Sequence, residues 1–182
     1  MCDTEVYTIR VDSVGASSNA SFVGYLNTPL QNVIKVELLS ASFHANANSP
    51  VTTSAYYINI EELKTKFNEK TYLQYNVNGY TEGANPSFTV SNVSQLATSI
   101  VCIPLEDSST NHRTIFSSCA NFPVEISFIE PIRKIQQFTV NIYTALGAQS
   151  SVFTGGPTYL TLRVTCSKPN VCLYPNKGQP IM

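Results

Sequence analysis

The sequence predicts an all-β fold, a two-layered sandwich of about eight strands, on three observations. Short runs in which apolar and polar residues alternate recur along the chain, the period a half-buried strand requires. Clusters of Gly, Pro, Asn and Ser separate most of these runs and supply turn chemistry. At 182 residues the chain makes one domain with a real core.

The elements follow in order. The first strand opens at Glu5, with Tyr7, Ile9 and Val11 on one face and Thr8, Arg10 and Asp12 on the other. Gly15–Asn19 is a turn. Strands follow at Ser21–Leu26 and Val33–Phe43. In the second of these the apolar phase moves from Ile34, Val36 and Leu38 to Leu39, Ala41 and Phe43, the signature of a β-bulge. Ala45–Ser54 is a loop by composition, and Tyr56, Ile58 and Ile60 form a short strand.

Glu61–Phe67 reads as one helical turn, and Tyr72–Val77 as a strand before Asn78-Gly79. Val93, Leu96, Ala97 and Ile100 fall at helical spacing behind a Ser91 or Asn92 cap, leading into a strand at Ile100–Leu105. Glu106–Arg113 is a polar loop.

The clearest segment is Asn121–Gly147. Val124, Ile126 and Phe128 face one way; after a corner at Pro131-Ile132-Arg133-Lys134, Phe138, Val140 and Ile142 alternate with Gln137, Thr139, Asn141 and Tyr143. Pro131 has no backbone N–H, so it marks a break in pairing. A Gly155-Gly156-Pro157 turn precedes the last strand, Tyr159–Cys166, with Leu160, Leu162 and Val164 inward. The domain is thus drawn over residues 1–166, with 167–182 an irregular tail containing three prolines.

Composition narrows function. Charged residues, at 13%, fall well below the roughly 25% typical of soluble domains. Ser, Thr and Asn fill the deficit, giving a polar but weakly charged surface that suits a protein flanked by neighbours. Net charge is −1 and the 11 Lys and Arg residues are scattered, with no basic arm before the first strand. A protein that coats nucleic acid needs clustered cations, so no direct nucleic-acid contact is expected. No apolar run has the look of a leader or a membrane span.

No catalytic or metal-binding constellation stands out. His44 and His112 are the two histidines, each in a polar segment without metal-ligand spacing. A Cys119–His112 nucleophile pair is conceivable, but Ser117-Ser118-Cys119-Ala120 matches no nucleophile motif. Glu61-Glu62 and Glu106-Asp107 are sequence neighbours that point to opposite faces of a strand, so solvated charge is the simpler reading. The expectation is no enzyme, no cofactor and no metal. The bunched Tyr56, Tyr57, Tyr72, Tyr75 and Tyr80 suit either a carbohydrate platform or a core and subunit interface, and the interface is favoured.

Two segments carry a family resemblance, PIRKIQQFTVNIYTALG at Pro131–Gly147 and FVGYLNTPLQNVIKVELLSASF at Phe22–Phe43. The first is a corner followed by a polar–apolar strand and a Gly turn. In the second, Pro29 marks a turn before the run Val33, Val36, Leu38, Ser40, Ala41. Together they resemble the single jelly-roll penton and minor capsid proteins of large double-stranded DNA viruses, of the nucleocytoplasmic type.

The resemblance implies a single jelly roll, one of the main eight-stranded solutions of the sandwich problem. It implies a virion structural protein made in the host cytoplasm and placed in the capsid, with the five-fold penton first and a minor or cement protein second. Its partners would be symmetry mates in a pentamer, the major capsid protein and other minor capsid proteins. A lectin-like, receptor-binding jelly roll is the alternative of another class. Arg133 and Lys134, at an exposed corner, are the candidate interface residues.

Five cysteines leave at least one unpaired, and no Cys-x-x-Cys occurs. A bridge between Cys166 and Cys172 would close a short C-terminal loop, but reduced thiols are favoured. Thiol titration of the denatured, unreduced protein should therefore count most of the five, and elemental analysis should find no stoichiometric zinc or iron. Two intact disulfides, or one zinc per chain, would overturn this.

Overall fold

The computed structural model describes residues 4–44, 55–64, 98–104, 113–144 and 155–168. These form seven strands: β1 (Thr4–Asp12), β2 (Ser21–His44), β3 (Ala55–Ile60), β4 (Val101–Pro104), β5 (Arg113–Ser117), β6 (Val124–Thr144) and β7 (Tyr159–Ser167). A single 3-10 turn, Glu61–Leu63, follows β3, and the described residues contain no α-helix. The fold is all-β. Every pairing is antiparallel, in the order β1-β7-β2-β6-β3-β4, with β5 on β2.

Two strands differ from the sequence reading. Ser21–Leu26 and Val33–Phe43 are one strand, the 24-residue β2, and the two halves of Asn121–Gly147 are one strand, the 21-residue β6. The two long strands pair along most of their length, and the pairing slips twice. Leu26–Pro29 of β2 stand against Gln136 alone, between Tyr25↔Gln137 and Leu30↔Ile135. Phe128–Pro131 of β6 stand against Ile34 alone, between Val33↔Ile132 and Lys35↔Ser127. Each excursion holds a proline, at a place where no ladder N–H is required. Pro29 and Pro131 therefore bend strands instead of ending them.

The bend is large. A straight 24-residue strand is about 80 Å long. Yet Phe43, near the end of β2, stacks on Tyr56 with ring centroids 5.9 Å apart, and Tyr56 is paired with Thr144 beyond the start of β2. The sheet curls back on itself. Gly24 shows the same closure, because a Cβ there would lie 2.7 Å from Val11 Cγ1 of β1. Asn32, at φ 51°, turns the backbone inside the bend, and Asn tolerates that left-handed conformation.

The core is filled by in-register pairs. Phe22↔Val140, Leu30↔Ile135 and Leu38↔Val124 join β2 to β6; Val36↔Val164, Leu38↔Leu162 and Ala41↔Leu160 join β2 to β7; Ile58↔Ile142 and Ile60↔Val140 join β3 to β6. Leu39 is the extra residue between Leu38↔Leu162 and Ser40↔Thr161, the β-bulge that the shifted apolar phase foretold. β1 is graded: Val11 is buried and Ile9 half-buried, while Tyr7 is exposed.

β5 was not foreseen, and its first residue, Arg113, had been assigned to a loop. It continues the edge on which β6 pairs, with Ser40↔Ser117 following Leu38↔Val124 across a turn at residues 118–123. Ser118 N–H donates to Leu39 O at 2.9 Å, and Phe122 meets Phe116 edge-on at 5.3 Å, so the detour stays attached. The strand β7 runs one residue past the boundary drawn at Cys166. The helical turn after Ile60 is real but short; the readings at 72–77 and 93–97, the loops at 45–54 and 106–112 and the tail beyond Lys168 lie outside the described residues.

Val140 is fully buried and paired with both Phe22 and Ile60. Val140→Asp would bury an unpaired charge and should cost roughly 3 kcal/mol or more. A melting temperature equal to that of the parent protein would overturn its place in the core.

Candidate interaction surfaces

The bend creates a corner that places exposed charge beside an open cavity. Along β6, alternation fails at residues 133–134: Ile132 is half-buried and Ile135 buried, but Arg133 and Lys134 are both exposed. Where a sheet turns sharply, both of its faces meet water, and the two-residue period is lost. Lys134 lies opposite Gln31 of β2.

The other cations set these two apart. Arg10 pairs with Asp12 at 3.4 Å and lies 4.4 Å from the Tyr159 ring centroid. Lys35 bridges Glu125 at 2.7 Å and Glu37 at 3.5 Å, and Arg163 meets Glu37 at 3.7 Å. Glu37 and Glu125 are direct cross-strand partners, so Lys35 relieves a like-charge pair. The two carboxylates raise the Lys35 pKa, the hydrogen bond to Glu125 most strongly. Lys64 pairs with Glu61, and Lys168 with Glu5. Among the described residues, Arg133 and Lys134 have no ion-pair partner.

Beside this corner lies a groove of about 820 Å³, walled by Leu26–Asn32 of β2 on one side and by β1 and the end of β7 on the other. Ile9, Leu26, Leu30 and Cys166 give it an apolar floor. Its rim carries Glu5, Tyr7 and Lys168. The Tyr7 hydroxyl donates to Glu5 Oε2 at 2.6 Å, and Lys168 Nζ sits 3.3 Å from Glu5 Oε1. Donation from Tyr7, then from Lys168, lowers the Glu5 pKa, and the same bond raises that of Tyr7. Burial raises the pKa of the Cys166 thiol at the floor.

Glu62, read from sequence as solvated charge, is structural. Its two carboxylate oxygens accept from Thr139 N–H at 2.7 Å and Thr139 Oγ–H at 2.8 Å. The side chain thus continues the β6 ladder one step past Ile60, where β3 has ended. Only the register of β3 on β6 creates this role, so sequence held no signal for it. Glu61, which accepts from Asn141 Nδ2 at 3.2 Å, stays exposed.

The remaining reactive side chains do not converge among the described residues. Among the described residues no group of three His, Cys, Asp or Glu side chains is placed to hold a metal. Cys119 is exposed in the turn after β5, and His112, its partner in the pair considered from sequence, lies outside the described residues. His44 packs on Gly156, where a Cβ would lie 2.7 Å from its Nδ1. Asn19, in an Asn-Ala-Ser acceptor pattern, has its Oδ1 accepting from Ser13 Oγ at 2.6 Å. No helix among the described residues is long and apolar enough to cross a membrane.

No known protein family matches the chain, and no curated protein matches it in sequence.

Side chains that the fold does not use are free to serve a partner, and the two groups divide on that line. Arg133→Ala and Lys134→Ala should each change folding stability by no more than about 0.5 kcal/mol. Glu62→Ala, which strips two hydrogen bonds from Thr139, should cost about 1–3 kcal/mol. Chemical denaturation of the three variants checks this, and a large loss at Arg133 or Lys134 would assign them to the fold instead.

Proposed function

We propose that this chain is a single jelly-roll capsid protein, acting as the five-fold penton of a large icosahedral double-stranded DNA virus. The observation that carries the reading is the nesting of the strand pairs. Divided at their bends, β2 and β6 contribute two segments each. Outermost then pairs with outermost inward to the centre: β1 with β7, the first half of β2 with the second half of β6, the second half of β2 with β5 and the first half of β6, and β3 with β4. Cross pairs of β7 with the second half of β2, and of β3 with the second half of β6, join these pairs into one curled sheet. Nested antiparallel pairing of this kind supports the jelly-roll reading.

Fold alone does not assign function. What takes the reading from jelly roll to capsid is the resemblance of the Phe22–Phe43 and Pro131–Gly147 segments to viral pentons and minor capsid proteins. Their prolines, Pro29 and Pro131, sit in the two excursions of the bend. The weakly charged surface and the scattered cations fit a protein held by neighbours, with no role in wrapping nucleic acid.

The mechanism is assembly. Five copies around a closed axis bury the same heterologous patch on every subunit, and the rigid curled sheet sets the angle between them. Arg133 and Lys134 project from the bend with no partner inside the described fold, and reach a symmetry mate or an adjacent capsomer.

Quantitative mass spectrometry of purified virus particles tests the proposal. A penton appears at about sixty copies per icosahedral shell, five at every vertex. Several hundred copies would replace it with a minor or cement role, and absence from the particle would remove the capsid reading. Absence combined with specific glycan binding by the free protein would favour a lectin-like receptor-binding module.

A further inference from the structure

We infer that the knuckle Ile129–Lys134 is a self-complementary contact between copies of this chain, in which Glu130 of one copy meets Arg133 and Lys134 of the next and Ile129 is buried between them. The inference deepens the assembly reading above and rests on it for the identity of the partner, a second copy. Among the described side chains, the charged groups that enter no ion pair and no hydrogen bond all fall in this one stretch: Glu130, Arg133 and Lys134. All three are exposed. Beside them Ile129, 86% exposed, is the most exposed large hydrophobic side chain of the described residues.

The register explains why the fold leaves these groups unused. Charges on a sheet pair with directly opposed residues and their near neighbours, as Lys35, Glu37, Glu125 and Arg163 do. Phe128–Pro131 stand against Ile34 alone, so Ile129 and Glu130 have no opposed side chain, and Lys134 lies opposite the uncharged Gln31. The knuckle is nevertheless held at both ends. Phe128 is buried in the core, Ile132 packs against it, and Pro131 restricts the backbone between them. A preformed element of this kind loses little conformational freedom on binding. Both signs of charge beside an apolar tip match a second copy of the same patch, carboxylate to cation, and like-charge contacts with the wrong orientation are penalised. A closed ring repeats such a contact at every subunit, and burying Ile129 in it removes apolar surface from water.

Charge exchange in the full-length protein tests the contact. Glu130→Lys makes the knuckle wholly basic, and Arg133→Glu with Lys134→Glu makes it wholly acidic. Sedimentation at low salt should show the parent associating as its concentration rises and each variant alone staying monomeric. An equal mixture of the two variants should associate again, about ten-fold or more tightly than either alone, and lose that association at high salt. Ile129→Ser, which leaves the charges in place, should also weaken association of the parent. These side chains are exposed, so the variants should melt with the parent. A parent that stays monomeric throughout, variants that associate as the parent does, or a mixture no heavier than its components overturns the contact. Its failure is separable from that of the capsid reading. About sixty copies per particle with no complex in the mixture would remove this contact and leave the penton, and the reverse result would keep the contact and remove the penton.

Discussion

The antiparallel pairing of β2 with β6 through a shared bend is the constraint on which the rest of the fold depends. Each strand is too long to bury one face against anything in a domain of this size unless it turns. The turn is made by two opposed excursions, Leu26–Pro29 against Gln136 and Phe128–Pro131 against Ile34. Between them Leu30–Val33 and Ile132–Ile135 stay paired, so the ladder is carried around the corner instead of being cut. Because both strands serve both halves of the curled sheet, β7 and β5 attach at one end and β3 at the other without a separate nucleus. Loosening either excursion would shift register along the strand, and a one-residue slip moves every apolar side chain to the wrong face.

The surfaces that remain available for partners are products of the same bend. Residues 133–134 lose their alternation where the sheet turns, and the groove lies between Leu26–Asn32 and β1 beside that turn. In a flat strand successive side chains point to opposite faces, so Arg133 and Lys134 would not share an exposed corner. Geometry, more than residue type, makes this corner distinct.

Much of the fold was legible in the sequence, because alternation reports burial on one face and most of this chain's strands have one wet face. Phe138, Val140, Ile142, Leu160, Leu162 and Val164 read true for that reason. The bulge at Leu39 was legible as a change of apolar phase. Continuity was not. A proline in a strand signals missing hydrogen bonds, and a bent strand and a broken one look alike until the partner's register is known. β5 escaped because, among residues 114–117, Phe116 alone is buried and Ile115 points to solvent. At the candidate site, Arg133 and Lys134 were legible as an exposed corner, but Glu62 and the groove arise from residues brought together over long sequence separations.

Charge carries the argument about partners one step further. Across β1, β7, β2 and β6 the exposed ion pairs lie within the sheet face and cancel locally, Lys35 with Glu37 and Glu125, Arg163 with Glu37, Arg10 with Asp12. Such pairs add little stability, but they leave a face that neither attracts nor repels a neighbour strongly. Among the described residues, the cations at the bend are not cancelled in this way. On the capsid reading, the near-neutral faces tolerate close packing by many neighbours, while the bend supplies a local positive point that favours an acidic edge on one of them. On that same reading, orientation in a crowded shell would come from the corner, and the near-neutral faces would fill space around it.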